Sequence, residues 1–442
     1  MKTALLQVNP VTGDIAGNIE RISEAVLRAG KVDLCVTPEL ALSGVAPGQF
    51  LSMNDFVAGC ARGLDILAAR FANGPDLLVG APVVSVYDPE LLSNAAVLVS
   101  RGRWDVVSRK IRPEASRDPE AQFFDRGVSC GIINLAGWRL GLVLCESDSM
   151  ESFWNVRGTG YVPLLDLISR GVDAIIHMKA TPYVIGQRAD MEAMLTHVAA
   201  RHHIHLLSCN AVGGNGGLIF GGQSLALDPT GAVYARGRAF EEDVLVVDMA
   251  TGTAPVAGVG KVWQENVFSA LVLGTRDFVR KLGLRRALVS LSGGIDSALV
   301  LVVAVRALGA ENVSAVIMPS GFTSEEAVAG ATQLAKSLGV RVTLMPIDGI
   351  AERYWEILAP KGADFGYEDD KPARFKLNSR IRGSLLMSMA ASGEHLVLNT
   401  GNKSESAMGY CTLYGDTVGT LGVIADLTKT QVYAVAEWLN EN

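Results

Sequence analysis

Six consecutive residues, Ser292-Gly293-Gly294-Ile295-Asp296-Ser297, follow an apolar run from Ala287 to Leu291 and precede a helix-forming stretch from Ala298 to Leu308. The order reads as a strand, a glycine turn and a helix start. Backbone N–H groups at such a turn converge on one point, with the positive end of the helix dipole behind them, and this suits a phosphate. Ser292 and Ser297 add hydroxyl donors, and Asp296 can hold the magnesium that accompanies a polyphosphate. No Gly-Lys-Ser/Thr closes the loop, so it departs from the loop that cradles β- and γ-phosphates in P-loop NTPases. The plain alternative is an ordinary glycine turn in an α/β domain. Serine, two glycines, aspartate and serine in this order after a strand are much rarer than a Gly-Gly pair.

A second set of residues suits covalent chemistry. Glu39 follows the run Leu34-Cys35-Val36-Thr37-Pro38, Lys110 follows Trp104 to Arg109, and Cys145 ends Leu140-Gly141-Leu142-Val143-Leu144. Each stands where a strand ends, the place where catalytic side chains gather in open α/β structures. A glutamate can take a thiol proton, and a lysine can stabilise both a thiolate and the oxyanion of a tetrahedral intermediate. Singly, each has an ordinary explanation: a core cysteine, a Pro-Glu turn and a solvated lysine. His202, His203 and His205 also suggest a metal, with His203 and His205 on one face of a strand. No carboxylate or cysteine accompanies them at ligand spacing, so a structural or surface role fits them better.

The elements that must position these groups alternate along the chain. Leu5 to Val8 reads as a strand, Asn18 to Ala29 as a helix with Asn18 as its N-cap, and Val32 to Thr37 as a buried strand. Gly137 to Cys145, Asp173 to His177, Leu206 to Asn210, Leu218 to Asp228 and Val244 to Asp248 continue the series, in a mixed order that suggests a sandwich of sheets flanked by helices. Residues 251–262, rich in glycine, alanine, threonine and proline without periodicity, read as a linker between domains at 1–250 and 263–442. Beyond it come helix Trp263 to Leu282, strand 287–291, helix 297–308, strand Val313 to Met318, helix Ser324 to Leu338 and strand Val340 to Pro346. That is a parallel, doubly wound βαβ series.

Composition bounds the rest. A chain of 442 residues is too long for one ordinary core, and 49% apolar against 19% charged residues excludes disorder. A net charge of −7 argues against nonspecific nucleic-acid binding. The longest apolar runs are too short to span a bilayer, and Met1 leads directly into a strand-like segment, so a cytoplasmic protein without a signal peptide is expected. Six cysteines, with no CxxC pair, indicate neither a disulfide frame nor a zinc knuckle.

Residues 1 to about 250 resemble the nitrilase superfamily, specifically the glutaminase domains fused to NAD+ synthetases. The resemblance lies in Gln7 to Asp14 with Asn18, Thr37 to Gly44, Asn210 to Gly214 and Phe240 to Asp243. It implies an αββα sandwich in which Glu39 is the general base, Lys110 the oxyanion stabiliser and Cys145 the nucleophile that forms a glutamyl thioester and releases ammonia. Thr181 and Gln187 would bind glutamine. Several stretches depart from the family: Ile111-Arg-Pro-Glu-Ala-Ser116 lacks a tyrosine that contacts glutamine, Lys179-Ala-Thr-Pro182 replaces Ser-Ala-Ser-Pro, and Gln187 replaces a lysine.

From Trp263 onward the chain resembles the NAD+ synthetase domain of the N-type ATP pyrophosphatases, a doubly wound parallel-sheet fold of the adenine nucleotide alpha hydrolase kind. The motifs are Leu271 to Asp277, Met318 to Ser320, Arg380 to Gly383, Asn399 to Glu405, Gly409 to Asp416 and Thr428 to Thr430. By that similarity Ser292, Gly293, Gly294, Ile295, Asp296, Ser297 and Thr400 bind ATP. Asp296 and Glu405 hold Mg2+, and Glu405, Lys429 and Lys376 contact deamido-NAD+. The implied partners are deamido-NAD+, L-glutamine and ATP, in a homo-oligomer, with no nucleic acid or membrane. The family continues past the position of Asn442, so a shortened chain is expected. Two rival readings stay open: an ATP-pyrophosphatase amidotransferase for another carboxylate, prompted by Lys376, and a non-catalytic scaffold.

Overall fold

In strand β1 (Lys2–Gln7) Leu5 faces one way while Ala4 and Leu6 face the other, and all three are fully buried. A strand covered on both faces belongs to the middle of a layered structure, and this one lies in a sandwich. The computed structural model describes residues 1–111, 119–144, 163–252, 256, 258, 260, 262–358, 371–391 and 394–442. They form two units, Met1–Lys261 and Val262–Asn442.

The first unit has two six-stranded sheets. One joins β1 to β2 (Leu34–Val36), β3 (Asp76–Val84), β4 (Leu92–Ser100) and β5 (Arg103–Arg109), with β14 (Asp243–Asp248) on its outer edge. The other runs β13 (Val233–Arg236), β12 (Leu225–Leu227), β9 (His205–Asn210), β8 (Ala174–Lys179), β7 (Trp138–Val143), β6 (Gly131–Leu135). A small hairpin, β10 (Val212–Asn215) with β11 (Leu218–Gly221), lies apart. Leu5, Val36 and Leu78 of one sheet interleave with Leu142, Ile176 and Leu207 of the other. The outer face of the first sheet packs on α1 (Ile15–Ala29) and α2 (Asn54–Arg70) through Ile19, Ile22, Leu64 and Leu67. Helices α3 (Pro163–Ser169) and α4 (Gln187–His202) cover the second sheet through Leu167, Leu195 and Val198. The layers are α, β, β, α, as the sequence led us to expect.

Two local expectations change. Helix α1 starts earlier than Asn18, because Asp14 caps it by accepting from the Gly17 N–H at 2.8 Å. Asn18 is instead buried inside the helix, where it exchanges two 2.8 Å hydrogen bonds with the Val11 backbone and donates to the Leu42 carbonyl. His203 is not in a strand with His205: it caps α4 in the left-handed conformation, at φ 53°.

The second unit has one parallel sheet in the order β17 (Arg341–Leu344), β16 (Val313–Ile317), β15 (Arg286–Ser290), β18 (His395–Asn399), β19 (Leu421–Gly422). One face packs on α8 (Asp348–Leu358) and α9 (Lys371–Ala391), with Leu288, Val316 and Val397 against Trp355, Leu377 and Ile381. Helices α5 (Trp263–Lys281), α6 (Ile295–Leu308), α7 (Glu325–Ser337) and α11 (Lys429–Glu441) complete the layers, with the short α10 (Lys403–Met408) between β18 and β19. Strand order reverses between β15 and β18, so the loops after these two strands border the crevice where doubly wound sheets bind ligands.

Candidate active sites in the two units

In the first unit, β2 delivers Glu39 and β5 delivers Lys110 to one buried point. Lys110 Nζ donates to Glu39 Oε1 at 2.7 Å, with both side chains nine-tenths or more buried. Asn94 of β4 donates to the same oxygen, also at 2.7 Å. The chain reverses tightly at the glutamate, with Leu40 left-handed at φ 51°. Gly80 makes this approach possible, since a Cβ there would stand 2.3 Å from the Pro38 carbonyl oxygen. Left-handed non-glycine residues store strain, commonly at functional sites. Cys145, the expected nucleophile, lies outside the described residues, two positions beyond the end of β7.

Three of the described cysteines, Cys35, Cys60 and Cys209, are fully buried and unsuited to act as thiolates. Burial pushes the thiols of Cys35 and Cys60 up to about 12, and that of Cys209 up as well. His177 on β8 is fully buried, and desolvation, helped by Lys179 and Lys110, pushes it down to about 3. It is therefore a neutral imidazole at physiological pH.

Thr181 and Gln187 line one polar cavity of about 60 Å3 under α4, together with Lys179, Ser208 and Gln223. The Asn210 amide shapes its rim by accepting from the Thr181 N–H at 3.0 Å and donating to the Gly222 carbonyl at 2.9 Å. The sequence reading missed Asn94, Ser208 and Gln223. Ser93-Asn94, a polar pair inside an otherwise apolar strand, was the available signal for Asn94. Nothing local marked the other two.

In the second unit the loop from Ser292 to Ser297 joins β15 to α6 as predicted. Gly294, the N-cap of α6, has no side chain to bond the first-turn N–H groups. Gly293 has φ 84°, and a Cβ there would meet the Ala327 carbonyl at 2.7 Å, so only glycine fits. Ser297 Oγ lies 3.2 Å from Ser292 Oγ and donates to the Gly294 carbonyl at 3.0 Å, closing the turn on itself.

Asp296 in the first turn of α6 accepts from Asn402 Nδ2 at 2.9 Å through one oxygen and from Lys429 Nζ through the other. Asn402 is fully buried and forms a capping box with Glu405 at the start of α10. Asn402 thus meets both expected magnesium carboxylates, its side-chain amide donating to Asp296 and its backbone N–H donating to Glu405 Oε2 at 3.1 Å. Among the described residues no three His, Cys, Asp or Glu converge as a metal cage. Two carboxylates beside a phosphate loop suit Mg2+, which takes one or two carboxylates and fills its shell from phosphate and water. An ammonium now sits on Asp296 Oδ2, so this oxygen already faces a cation.

Thr400 follows β18, and its backbone neighbourhood is held by Asn399, which accepts from Gly401 N–H at 2.8 Å and donates to the Asp416 and Val418 carbonyls. Beside the Ser292–Ser297 loop opens a cavity of about 300 Å3, lined by Ser292, Met318, Ser320, Asn378 and Arg382. Arg382 spans its wall, donating to the Met318 carbonyl at 2.9 Å and to Ser320 Oγ at 3.2 Å. Asn378 Oδ1 is buried there with no protein partner. Lys376 is exposed and lines a neighbouring cavity of about 460 Å3 with Phe322, Phe375 and Tyr410.

The likeness to known proteins follows the same division. A family model described as carbon-nitrogen hydrolase matches residues 2–255, and one described as NAD synthase matches residues 267–441. The chain is 38% identical over 453 residues to the glutamine-dependent NAD(+) synthetase of Synechocystis, covering 99% of this chain and 80% of that one. It is 34% identical to that of Thermotoga maritima, covering 100% of this chain and 81% of the relative. The structure of the glutamine-dependent NAD+ synthetase from Acinetobacter baumannii, determined with ADP, superposes with a TM-score of 0.89 at 29% identity, covering 100% of this chain and 82% of that one. With a buried Glu–Lys pair in a carbon-nitrogen hydrolase sandwich and a glycine turn opening a helix at the switch point of an NAD synthase sheet, the chain belongs to the glutamine-dependent NAD+ synthetase family.

Proposed function

We propose that this chain converts deamido-NAD+ to NAD+, consuming ATP and taking its nitrogen from L-glutamine. The observation that carries the reading is Asp296, held between Asn402 and Lys429 at the mouth of a helix whose first N–H groups are uncapped. That combination supports a triphosphate aligned for attack at its α-phosphorus.

The nicotinate carboxylate of deamido-NAD+ attacks the α-phosphorus of ATP, and the bond to the β-phosphate oxygen breaks, releasing pyrophosphate. The loop N–H groups and the hydroxyls of Ser292 and Ser297 hold phosphate oxygens, and Lys429 offsets their charge. Mg2+, when held by Asp296 and Glu405, would supply further charge stabilisation. The cavity with Arg382 and Asn378 suits adenosine, the orphaned Asn378 oxygen accepting from an exocyclic amine. Ammonia then attacks the acyl carbon, AMP departs, and ammonia's surplus proton is lost to solvent.

In the first unit Glu39 takes the thiol proton of Cys145 as the sulfur attacks the glutamine amide carbon. The same proton passes to the departing nitrogen, and ammonia leaves a glutamyl thioester. Water, deprotonated by Glu39, then attacks the thioester carbon; the C–S bond breaks, glutamate leaves, and the proton returns from Glu39 to the Cys145 sulfur. Lys110 stands at Glu39 throughout and faces the developing oxyanion. Among the described residues no helix is long and apolar enough to cross a membrane.

Purified protein assayed for AMP with deamido-NAD+ and either ammonium or glutamine tests this reading. AMP with both donors is expected. AMP with ammonium alone removes the glutaminase role, and AMP only with another carboxylate removes deamido-NAD+ as substrate.

A further inference from the structure

The Glu39 carboxylate is gripped by one of its two oxygens. Oε1 accepts from Lys110 Nζ and from Asn94 Nδ2, each at 2.7 Å, which engages both of its lone pairs. No hydrogen bond from a described residue reaches Oε2. That leaves Oε2 as the oxygen open to a proton, and its direction is set by whatever holds Oε1.

Asn94 touches both members of the pair. Its side chain reaches Glu39, and its backbone carbonyl accepts from the Lys110 N–H at 2.7 Å. The strand beneath it is fixed, because the preceding residue, Ser93, is fully buried and donates to the Asp125 carboxylate. Yet the amide fits its own surroundings poorly. Asn94 is 4% exposed, and its Oδ1 is buried with no hydrogen-bond partner. Turning the amide over would set that oxygen against the Glu39 carboxylate, so the nitrogen is the atom that faces Glu39. A buried acceptor without a partner costs stability. Leucine has nearly the same shape and no polar atom to strand, so packing alone favours an apolar side chain here. What asparagine adds is the hydrogen bond to Glu39.

We propose that Asn94 is a positioning residue for amide hydrolysis: by anchoring Oε1 it aims Oε2 of Glu39 as the oxygen that takes the proton. The proposal rests on the glutaminase reading of the first unit. Asn94→Leu tests it, made both in the parent and in Glu39→Gln, with kcat and KM measured for glutamate release from L-glutamine during turnover with ATP and deamido-NAD+. In the parent, kcat should fall about ten- to a hundredfold, the range for a hydrogen bond to a charged group, with KM within about twofold. In Glu39→Gln the same substitution should change the rate by less than about twofold, because no base is left to aim. The melting temperature should stay within a few degrees of the parent, since leucine strands no polar atom. Should leucine lower it further, Asn94→Ala, which only shrinks the side chain, takes its place in the same measurements with the same expected pattern. An unchanged kcat overturns the proposal. A loss of equal size with and without the Glu39 carboxylate overturns it too, because the effect then lies elsewhere than in Glu39. So does a raised KM at unchanged kcat, which would make Asn94 a binding residue. A parent protein that releases no glutamate from glutamine brings down the glutaminase reading instead, and this role with it.

Discussion

Lys429, the first residue of α11, places its ammonium on Asp296, 133 residues earlier in the chain and in the first turn behind the Gly293-Gly294 turn. Two helix starts are joined at one ion pair. Thr428 caps α11 through a capping box, and Ser404 accepts from the Lys429 backbone N–H at 3.0 Å, so the lysine stem leaves a fixed base. The ammonium reaches Asp296 over the face of Tyr433, 5.8 Å from the ring centre.

Replacing this lysine by methionine keeps the stem and removes the charge. We expect ATP to bind ten- to a hundredfold more weakly, about 1.4–2.8 kcal/mol, the range of a charge-assisted contact. Without nucleotide, the freed Asp296 carboxylate should bind Mn2+ more tightly than in the parent. Calorimetric titration with ATP and then with Mn2+ alone measures both, and unchanged ATP affinity would remove Lys429 from the phosphate site.

Glu39 carries two donors on one oxygen, from Lys110 and Asn94. Glu39→Gln preserves an acceptor for both but cannot take a proton. Glutamine-dependent AMP formation should fall by about 10²–10⁴, the usual worth of a general base. Ammonium-dependent AMP formation should stay within twofold, since its chemistry belongs to the other unit. Equal losses with both nitrogen sources would contradict this division.

His177 makes the first unit sensitive to acid. Its pKa is lowered in the fold from 6.5 to about 3, first by burial and then by Lys179 and Lys110. The unfolded chain therefore binds a proton below pH 6.5 that the folded chain refuses. Stability from this group is complete above pH 6.5 and is lost as pH falls from 6.5 toward 3, at up to about 1.4 kcal/mol per pH unit. Urea unfolding at pH 7.5 and 5 should show His177→Gln losing less stability on acidification than the parent. An identical pH dependence for both would show that His177 does not titrate between the two states.

What the sequence disclosed and what it hid follow one physical distinction. The strand, glycine turn and helix start from Arg286 to Leu308 could be read because they are contiguous, and because Gly293 must be glycine at φ 84°. The inner strands were legible as continuous runs because both faces of β1 and β2 are buried. Features made by distant segments were hidden. Asn94 meets Glu39 across 55 positions, and Arg382 reaches the Met318 carbonyl across 64. Asn18 was misread for the same reason: it resembles a cap locally, but its partner at Leu42 comes from another loop. The left-handed backbone of Gln223 arises from its place between β11 and β12 and leaves no mark on residue type.

Asn402 offers a test in which folding and binding separate. Its side-chain oxygen accepts from the Glu405 N–H at 3.0 Å and so caps α10, while its nitrogen holds Asp296 at 2.9 Å. Serine caps a helix about as well as asparagine, but it has no amide to extend toward Asp296. Asn402→Ser should therefore keep the melting temperature within a few degrees of the parent while raising the Mg2+ concentration needed for half-maximal ATP binding. Asn402→Ala loses both functions, and its stability should drop by about 0.5–2 kcal/mol. Thermal melts and ATP titrations over a Mg2+ series decide the matter. If serine and alanine shift the Mg2+ requirement only in proportion to lost stability, Asn402 acts as a helix cap alone. If serine shifts it at full stability, the asparagine amide positions the magnesium carboxylate.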